Sequence, residues 1–338
     1  MTWHLNMAMQ IKPSVLICLR TVNNTKLRSN LTETCLSRLR NHFQVNFLDD
    51  IQQNPNIKKD IVGIVTPGPD SNVINRLITT LPNLRVISNH GMGVDHLDLK
   101  WAKEKGLRVG NTRYVVSDST AELAITLILV VTRKIVQGVR MSMENEHPNF
   151  FCPSLLGTNV AKKNLGIVGM GDIGLKIALR ATAFGMKILY HNRTQRSNED
   201  EDRVKATFYP RLQDMLPEAD VLVIACPCTE QTINLISTEE FRLMKKTSLL
   251  VNIARGKIVN TDALVKALQS NEIQSAALDV TDPEPLPRGH PLLSMPNVVI
   301  TTHCGTYTYE TRLEMIDLVI ENLKCGLEGK VMPSEVIL

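Results

Sequence analysis

Two rhythms of apolar residues alternate along the chain. Short uninterrupted apolar runs mark strands buried on both faces, and stretches with apolar residues three and four apart mark the helices between them. In the first third, residues 14–20, 43–48, 61–66, 84–89 and 107–110 are predicted strands, and 32–42, 71–80 and 98–105 are predicted helices. The strand at 61–66 stops at Pro67-Gly68-Pro69, and residues 111–114 form a plausible hinge. A long apolar helix then starts at Ser117 and is predicted to run to about residue 140. Its apolar width, with Leu123, Leu127, Ile128 and Val131, exceeds what one neighbour covers, so it is either a core helix or part of a dimer face. Residues 144–158 carry Pro148, Phe150, Phe151 and Pro153 with no period and read as a wrapping loop. Beyond it the rhythm resumes, with strands at 165–168, 186–191, 221–225, 248–253, 275–280 and 298–301 and helices at 212–217, 238–244, 261–270 and 308–328. Strict strand–helix alternation predicts parallel sheets: a Rossmann-type domain and a smaller flavodoxin-like α/β domain.

The most informative stretch is Leu165 to Thr194. The apolar run 165–168 leads into Gly169, Gly171 and Gly174, and in the helix that follows Ile173, Ile177 and Phe184 share a face. Gly185 ends that helix, so strand, turn, helix and strand close in the roughly thirty residues of a dinucleotide-binding unit. The first glycine lets the chain turn, the second lets backbone approach a pyrophosphate, and the third lets helix pack on strand. The helix N-terminus, with Asp172 and Ile173, offers free N–H groups to the phosphates. Cofactor choice falls to the end of the second strand, His191-Asn192-Arg193-Thr194, where NAD binders carry a carboxylate for the ribose 2′-hydroxyl. None stands here. A guanidinium and a hydroxyl suit a 2′-phosphate instead, so NADP(H) is preferred, with NAD(H) as the other dinucleotide such a unit accepts. The acidic run from Glu199 to Asp202 lies too far on and reads as a solvated loop.

Other polar residues fall where open α/β sheets place their active groups, at the carboxyl ends of strands. Arg255, Glu284 and His303 follow three neighbouring strands. Arg255 can hold a carboxylate and polarise an adjacent carbonyl, His303 can deliver a proton to the carbonyl oxygen, and Glu284 can hold one ring nitrogen and stabilise the imidazolium. That set suits hydride transfer to a 2-oxo acid. In the first domain Gly91-Met92-Gly93 has no long helix after it, so it reads as a tight loop presenting N–H groups to a small anion. No metal site is expected: Cys226-Pro227-Cys228 has no second pair, and His and Cys do not cluster at ligand spacing.

Composition narrows the picture further. The 338 residues are 43% hydrophobic, enough for two cores. The net charge of +4, from 38 basic and 34 acidic residues scattered along the chain, implies neither a nucleic-acid nor a membrane partner. The most apolar helical stretch, residues 121–131, contains Glu122 and is far short of a membrane span. The N-terminus lacks the charged and apolar regions of a secretory signal, and seven irregularly spaced cysteines fit a reducing compartment, so a cytoplasmic protein is expected.

Six motifs together carry a resemblance to a known family. They are G-M-G-V-D-H at 91–96, G-M-G-D-I-G at 169–174, N-I-A-R-G at 252–256, L-D-V-T-D-P-E-P at 278–285, H-P-L-L at 290–293 and H-C-G-T-Y-T-Y-E-T-R at 303–312. In these the chain resembles the D-2-hydroxyacid dehydrogenases, and within them the glyoxylate/hydroxypyruvate reductases. The resemblance implies that Arg255, Glu284 and His303 are the catalytic residues. It also implies that Met92 and Gly93, with Arg255 and His303, bind the substrate. The final helix is then expected to return to the first domain, giving a discontinuous substrate-binding domain (1–112 plus 303–338) into which the dinucleotide-binding domain (113–302) is inserted. Two positions depart from the family: Thr302 stands where a proline usually precedes the catalytic histidine, and Asp172 puts a negative charge near the pyrophosphate. The expected activity is NADPH-preferring reduction of glyoxylate, hydroxypyruvate or a related small 2-oxo acid to the D-2-hydroxy acid by a homodimer. The alternative is a dinucleotide-regulated binding protein resembling the C-terminal-binding-protein co-repressors, although no motif specific to that group is visible. Phosphoglycerate dehydrogenase is disfavoured by the missing acid at Asn192.

Overall fold

The computed structural model describes residues 12–18, 30–66, 71–143 and 152–338. Several expected features lie outside the described residues: the extreme N-terminus, the last residues of the predicted first strand, the stop at Pro67-Gly68-Pro69, and Pro148, Phe150 and Phe151 of the wrapping loop. Two compact units divide the chain, one made of Met1–Val116 with Thr308–Leu338 and the other of Ser117–Tyr307.

In the first unit, strands β1 (Ser14–Ile17), β2 (Gln44–Phe47), β3 (Ile61–Thr66), β4 (Val86–Asn89) and β5 (Arg108–Gly110) form one sheet. Every pair is parallel and the order is β2-β1-β3-β4-β5, the flavodoxin-like arrangement. Continuous burial on both faces explains the uninterrupted apolar runs. Leu16, Ile64, Ile87 and Val109 face one core. Val15, Val65 and Val86 face the other, which is closed by Ile316, Val319, Ile320 and Leu323 of the helix Tyr309–Leu327. That final helix therefore belongs to the first unit, and Gly326 lets it pack close on β4: a Cβ there would stand 2.8 Å from Val86 Cγ2.

The second unit holds β6 (Asn164–Val168), β7 (Lys187–His191), β8 (Thr207–Phe208), β9 (Val221–Ile224), β10 (Leu249–Asn252), β11 (Ser275–Leu278) and β12 (Val298–Ile300). All pairs are parallel, in the order β12-β11-β10-β9-β6-β7-β8. The chain reverses direction across the sheet between β6 and β9, and that crevice is where doubly wound sheets bind ligands. The helices Ser117–Thr132 and Asp172–Ala183 cover one face through Ala121, Ile128, Ile177 and Ala181, and a second core with Phe241, Leu264 and Ile273 covers the other.

Four elements differ from expectation. The long helix from Ser117 stops at Thr132, and a second helix, Ile135–Ser142, follows after Lys134, whose φ of 51° is left-handed. The break has a local cause. Thr132 Oγ1 donates back to Ile128 O (2.8 Å), and its carbonyl accepts from the N–H of Thr158 (2.9 Å) instead of from the next helical turn. The apolar width of the first helix is used inside the unit, since Leu127 and Ile128 are buried and Leu123 packs against the same core. The acidic run is also not a loop but lies in a helix, Asn198–Val204. Ser197 caps it through the N–H of Asp200, and negative charge in a first turn is favourable. Finally, the short helix Leu48–Gln53 and the two-residue β8 were not predicted, because elements that brief show no period. Among the described residues no helix is long and apolar enough to cross a membrane.

Candidate active site

The glycine turn sits at the reversal point of the second sheet. Gly169, at φ 97°, follows β6, and a Cβ on it would lie 2.4 Å from the backbone nitrogen of Cys226 beyond β9. Only glycine lets two strand ends approach so closely in that conformation. A Cβ on Gly174 would lie 2.4 Å from Gly169 O, so its absence is what lets the helix sit down on the turn. Gly171 is the opposite case: a Cβ there would meet nothing within 4 Å, which leaves room above the turn. Gly171 is also the N-cap of the helix Asp172–Ala183 and offers no side-chain cap. The N–H groups of the first turn, those of Ile173 and Gly174 among them, therefore have no intrahelical acceptor and are suited to an anion. Asp172 occupies the first helical position and is half-buried. The turn thus fits a pyrophosphate.

At the end of β7 the three candidate residues, Asn192, Arg193 and Thr194, divide by task. Asn192 is engaged with the turn itself: its Oδ1 accepts from Met170 N (2.7 Å) and its Nδ2 donates to Met170 O (3.3 Å). Arg193 and Thr194 are exposed and, among the described residues, make no hydrogen bond or ion pair. The nearby carboxylates are committed elsewhere. Asp200 takes the Arg196 guanidinium at 2.7 and 2.9 Å, which holds its carboxyl below the usual range, and Glu201 accepts from Tyr190 Oη and Gln195.

Three loops at the carboxyl end of the same sheet carry the candidate catalytic residues. Arg255 follows β10 in an extended conformation (φ −146°), with a donor of its guanidinium on Ala254 O at 2.8 Å. Glu284 lies in the proline loop after β11, its Oε2 3.3 Å from the N–H of Thr281. His303 follows β12, and its Nδ1 stands 2.7 Å from Glu284 Oε1. Burial alone would raise the Glu284 carboxyl. The hydrogen bond and charge of His303, the N–H of Thr281 and the charge of Arg255 outweigh it, so the carboxyl is held below its ordinary value and stays ionised near neutrality. An ionised Glu284 accepts a proton-bearing Nδ1, which leaves Nε2 as the ring atom able to meet a substrate. Both side chains are partly exposed, so a ligand can reach them.

His303 has a φ of 55°, a conformation that non-glycine residues adopt only when neighbours hold them there. Asp279, buried at the end of β11, is what holds it. Its carbonyl accepts from His303 N (2.8 Å), and its carboxylate accepts from Cys304 N (2.8 Å), Gly305 N (3.0 Å) and Thr301 Oγ1 (2.6 Å). Thr302 needs no proline's stiffness in a loop pinned at four points. Asn252 does the same for Arg255: its Nδ2 donates to Arg255 O (2.9 Å) and its Oδ1 accepts from Ala254 N (3.1 Å). Neither residue stood out in the sequence, although a polar residue ending an apolar strand is a usable signal. Among the described residues no group of three His, Cys, Asp or Glu is placed to hold a metal, and all seven cysteines are free thiols.

Met92 and Gly93 lie in the first unit, in the loop after β4. Met92 is exposed, and among the described residues the N–H groups of Met92 and Gly93 have no acceptor.

Comparison with known proteins identifies the family. Residues 125–305 match the family model described as D-isomer specific 2-hydroxyacid dehydrogenase, NAD binding domain. A glyoxylate reductase of Pyrococcus horikoshii is 38% identical over 317 residues, covering 90% of this chain and 92% of its own. A glyoxylate reductase/hydroxypyruvate reductase of Mus musculus is 42% identical over 254 residues, covering 75% and 77%. Among solved structures, an NADPH-dependent glyoxylate/hydroxypyruvate reductase of Sinorhizobium meliloti, in complex with NADP and malonate, superposes with a TM-score of 0.83 at 30% identity, covering 96% of this chain and 97% of that one.

Proposed function

Because the chain belongs to the D-isomer-specific 2-hydroxyacid dehydrogenases, a family of NAD(P)-dependent oxidoreductases, we propose that it reduces a small 2-oxo acid, glyoxylate, hydroxypyruvate or similar, to the D-2-hydroxy acid with NADPH preferred. The observation that carries this reading is the His303–Glu284 pair at 2.7 Å, with Arg255 close enough to depress the Glu284 carboxyl, on the sheet that also bears the glycine turn. When bound, the reduced nicotinamide supplies the hydride. Arg255 holds the substrate carboxylate and polarises the neighbouring carbonyl, and the N–H groups of Met92 and Gly93 are suited to receive a carboxylate. His303 Nε2 gives its proton to the carbonyl oxygen as the carbon is reduced, and Glu284 fixes the ring through Nδ1. In the reverse direction Nε2 takes the proton back. The test is turnover: a 2-oxo acid should be consumed with NADPH, and hydroxypyruvate should yield the D-isomer of glycerate. No consumption of any small 2-oxo acid would contradict the reading.

The cofactor preference rests on Arg193 and Thr194 being unengaged where a ribose-binding carboxylate would otherwise stand. A charge-assisted contact to phosphate contributes about 1.5–3 kcal/mol. Arg193→Ala should therefore weaken NADPH about 10- to 100-fold and leave NADH almost unchanged. Titration of both dinucleotides by protein-fluorescence quenching checks it, and equal losses for the two would remove Arg193 from the 2′-phosphate site.

The homodimer is part of the same proposal. Ile135, Val139 and Met143 are 49%, 47% and 77% exposed, spaced four apart, and so line up along one side of the second helix. A two-fold dimer is the commonest way to cover such a stripe. Sedimentation velocity at micromolar concentration should give a dimer, and Val139→Asp should shift it toward monomer. A monomeric wild type would contradict the assignment.

A further inference from the structure

We propose that Asn89 and Asn111 are positioning residues that turn the Gly91–Gly93 loop into a receptor for the substrate carboxylate, an inference that rests on the 2-oxo acid reading above. The loop contains three successive peptide units, each with its carbonyl tied down by an asparagine amide. Asn89 Nδ2 donates to Gly91 O (2.8 Å) and to Gly93 O (2.9 Å), and Asn111 Nδ2 donates to Met92 O (2.8 Å). Carbonyl oxygens only accept, so the nitrogen of each amide must face them. Each amide is itself fixed from behind. Asn89 is buried and its Oδ1 is bonded to Thr66 Oγ1 (2.7 Å), and Asn111 Oδ1 accepts from Ser334 Oγ (2.6 Å).

In a trans peptide the N–H points away from the C=O of the same unit. Fastening the carbonyls of residues 91, 92 and 93 inward therefore turns the N–H groups of Met92, Gly93 and Val94 away from the asparagines. Among the described residues those three N–H groups have no acceptor. Gly91 O also accepts from Thr112 N (3.1 Å), but without the amides the peptide units after Met92 and Gly93 could flip and present a carbonyl oxygen, which would repel a carboxylate. Glycine at 91 is part of the device, since a Cβ there would stand 3.3 Å from Asn89 Nδ2 and crowd the clamp. His90 is no substitute for it. Burial, and then the charge of Arg312, pushes its pKa down to about 3, so it is neutral and brings no positive charge to the loop.

The test is Asn89→Asp, which keeps the shape of the side chain and removes both donors, with Asn111→Asp as a second variant that loses one carbonyl clamp. The diagnostic quantity is kcat/KM for glyoxylate relative to methyl glyoxylate, whose ester carries no charge. Loss of the clamp should lower that ratio about 10- to 100-fold in Asn89→Asp and about 10-fold or less in Asn111→Asp, mainly through KM for glyoxylate, with NADPH affinity unchanged. Calorimetric titration of NADPH-loaded enzyme with oxalate should show the same ordering without turnover. Glyoxylate and its ester falling together, or oxalate affinity unchanged in both variants, would overturn the proposal while leaving the activity in place. A wild type that does not reduce glyoxylate, yet loses oxalate binding on Asn89→Asp, would instead sink the activity and support the clamp.

Discussion

Replacing His303 with alanine should slow 2-oxo acid reduction about 10²- to 10⁴-fold while NADPH still binds with wild-type affinity. The size follows from the task. As hydride reaches the carbonyl carbon, the oxygen gains nearly a full negative charge, which in the proposed mechanism Nε2 neutralises within the transition state. Alanine leaves water to do so. The loss should appear in kcat and little in KM, because the proton moves only as the barrier is crossed. Unchanged NADPH affinity separates a chemical defect from misfolding, since the glycine turn is built from β6, β7 and β9, and His303 follows β12. Undiminished turnover would refute the role given to His303.

Arg255→Ala should produce a loss of a different shape. Its guanidinium is assigned to the substrate carboxylate in the ground state and to both carboxylate and developing oxyanion in the transition state. KM should therefore rise and kcat should fall, with kcat/KM lowered by about 10²- to 10³-fold or more, the effect of removing one oxyanion donor. Arg255→Lys should recover little, because a point charge cannot span two oxygens as a planar fork does. Steady-state rates over a wide range of 2-oxo acid concentration separate the two parameters. A change in KM alone would restrict Arg255 to binding, and no change in either would place the carboxylate elsewhere.

Legibility in the sequence followed length and buriedness. Strands buried on both faces announced themselves as apolar runs, and the βαβ unit showed itself through glycines that the structure requires for close approach at Gly169 and Gly174. Helix ends were harder to read. Nothing in the residues around Thr132 shows that its carbonyl is claimed by Thr158, so the apolar period carried the expected helix through the break at Lys134. The acidic run was misread because charge suggested solvent, whereas Ser197 and the helix N-terminus make the same charges favourable in a first turn. In the candidate site, Arg255, Glu284 and His303 stand out in the sequence because their chemistry is distinctive. The residues that hold Arg255 and His303 were missed: Asn252 and Asp279 act through backbone groups that a sequence does not display. Polar side chains closing apolar strands were the one signal available.

The central claim is tested most directly by initial rates of NADPH and NADH oxidation by the purified wild-type protein over glyoxylate, hydroxypyruvate and pyruvate, with the configuration of the glycerate formed from hydroxypyruvate determined on the same samples. The account predicts turnover of at least one of these acids, a higher kcat/KM with NADPH than with NADH, and D-glycerate as the product. Absence of turnover with every 2-oxo acid, a preference for NADH, or formation of L-glycerate would contradict it.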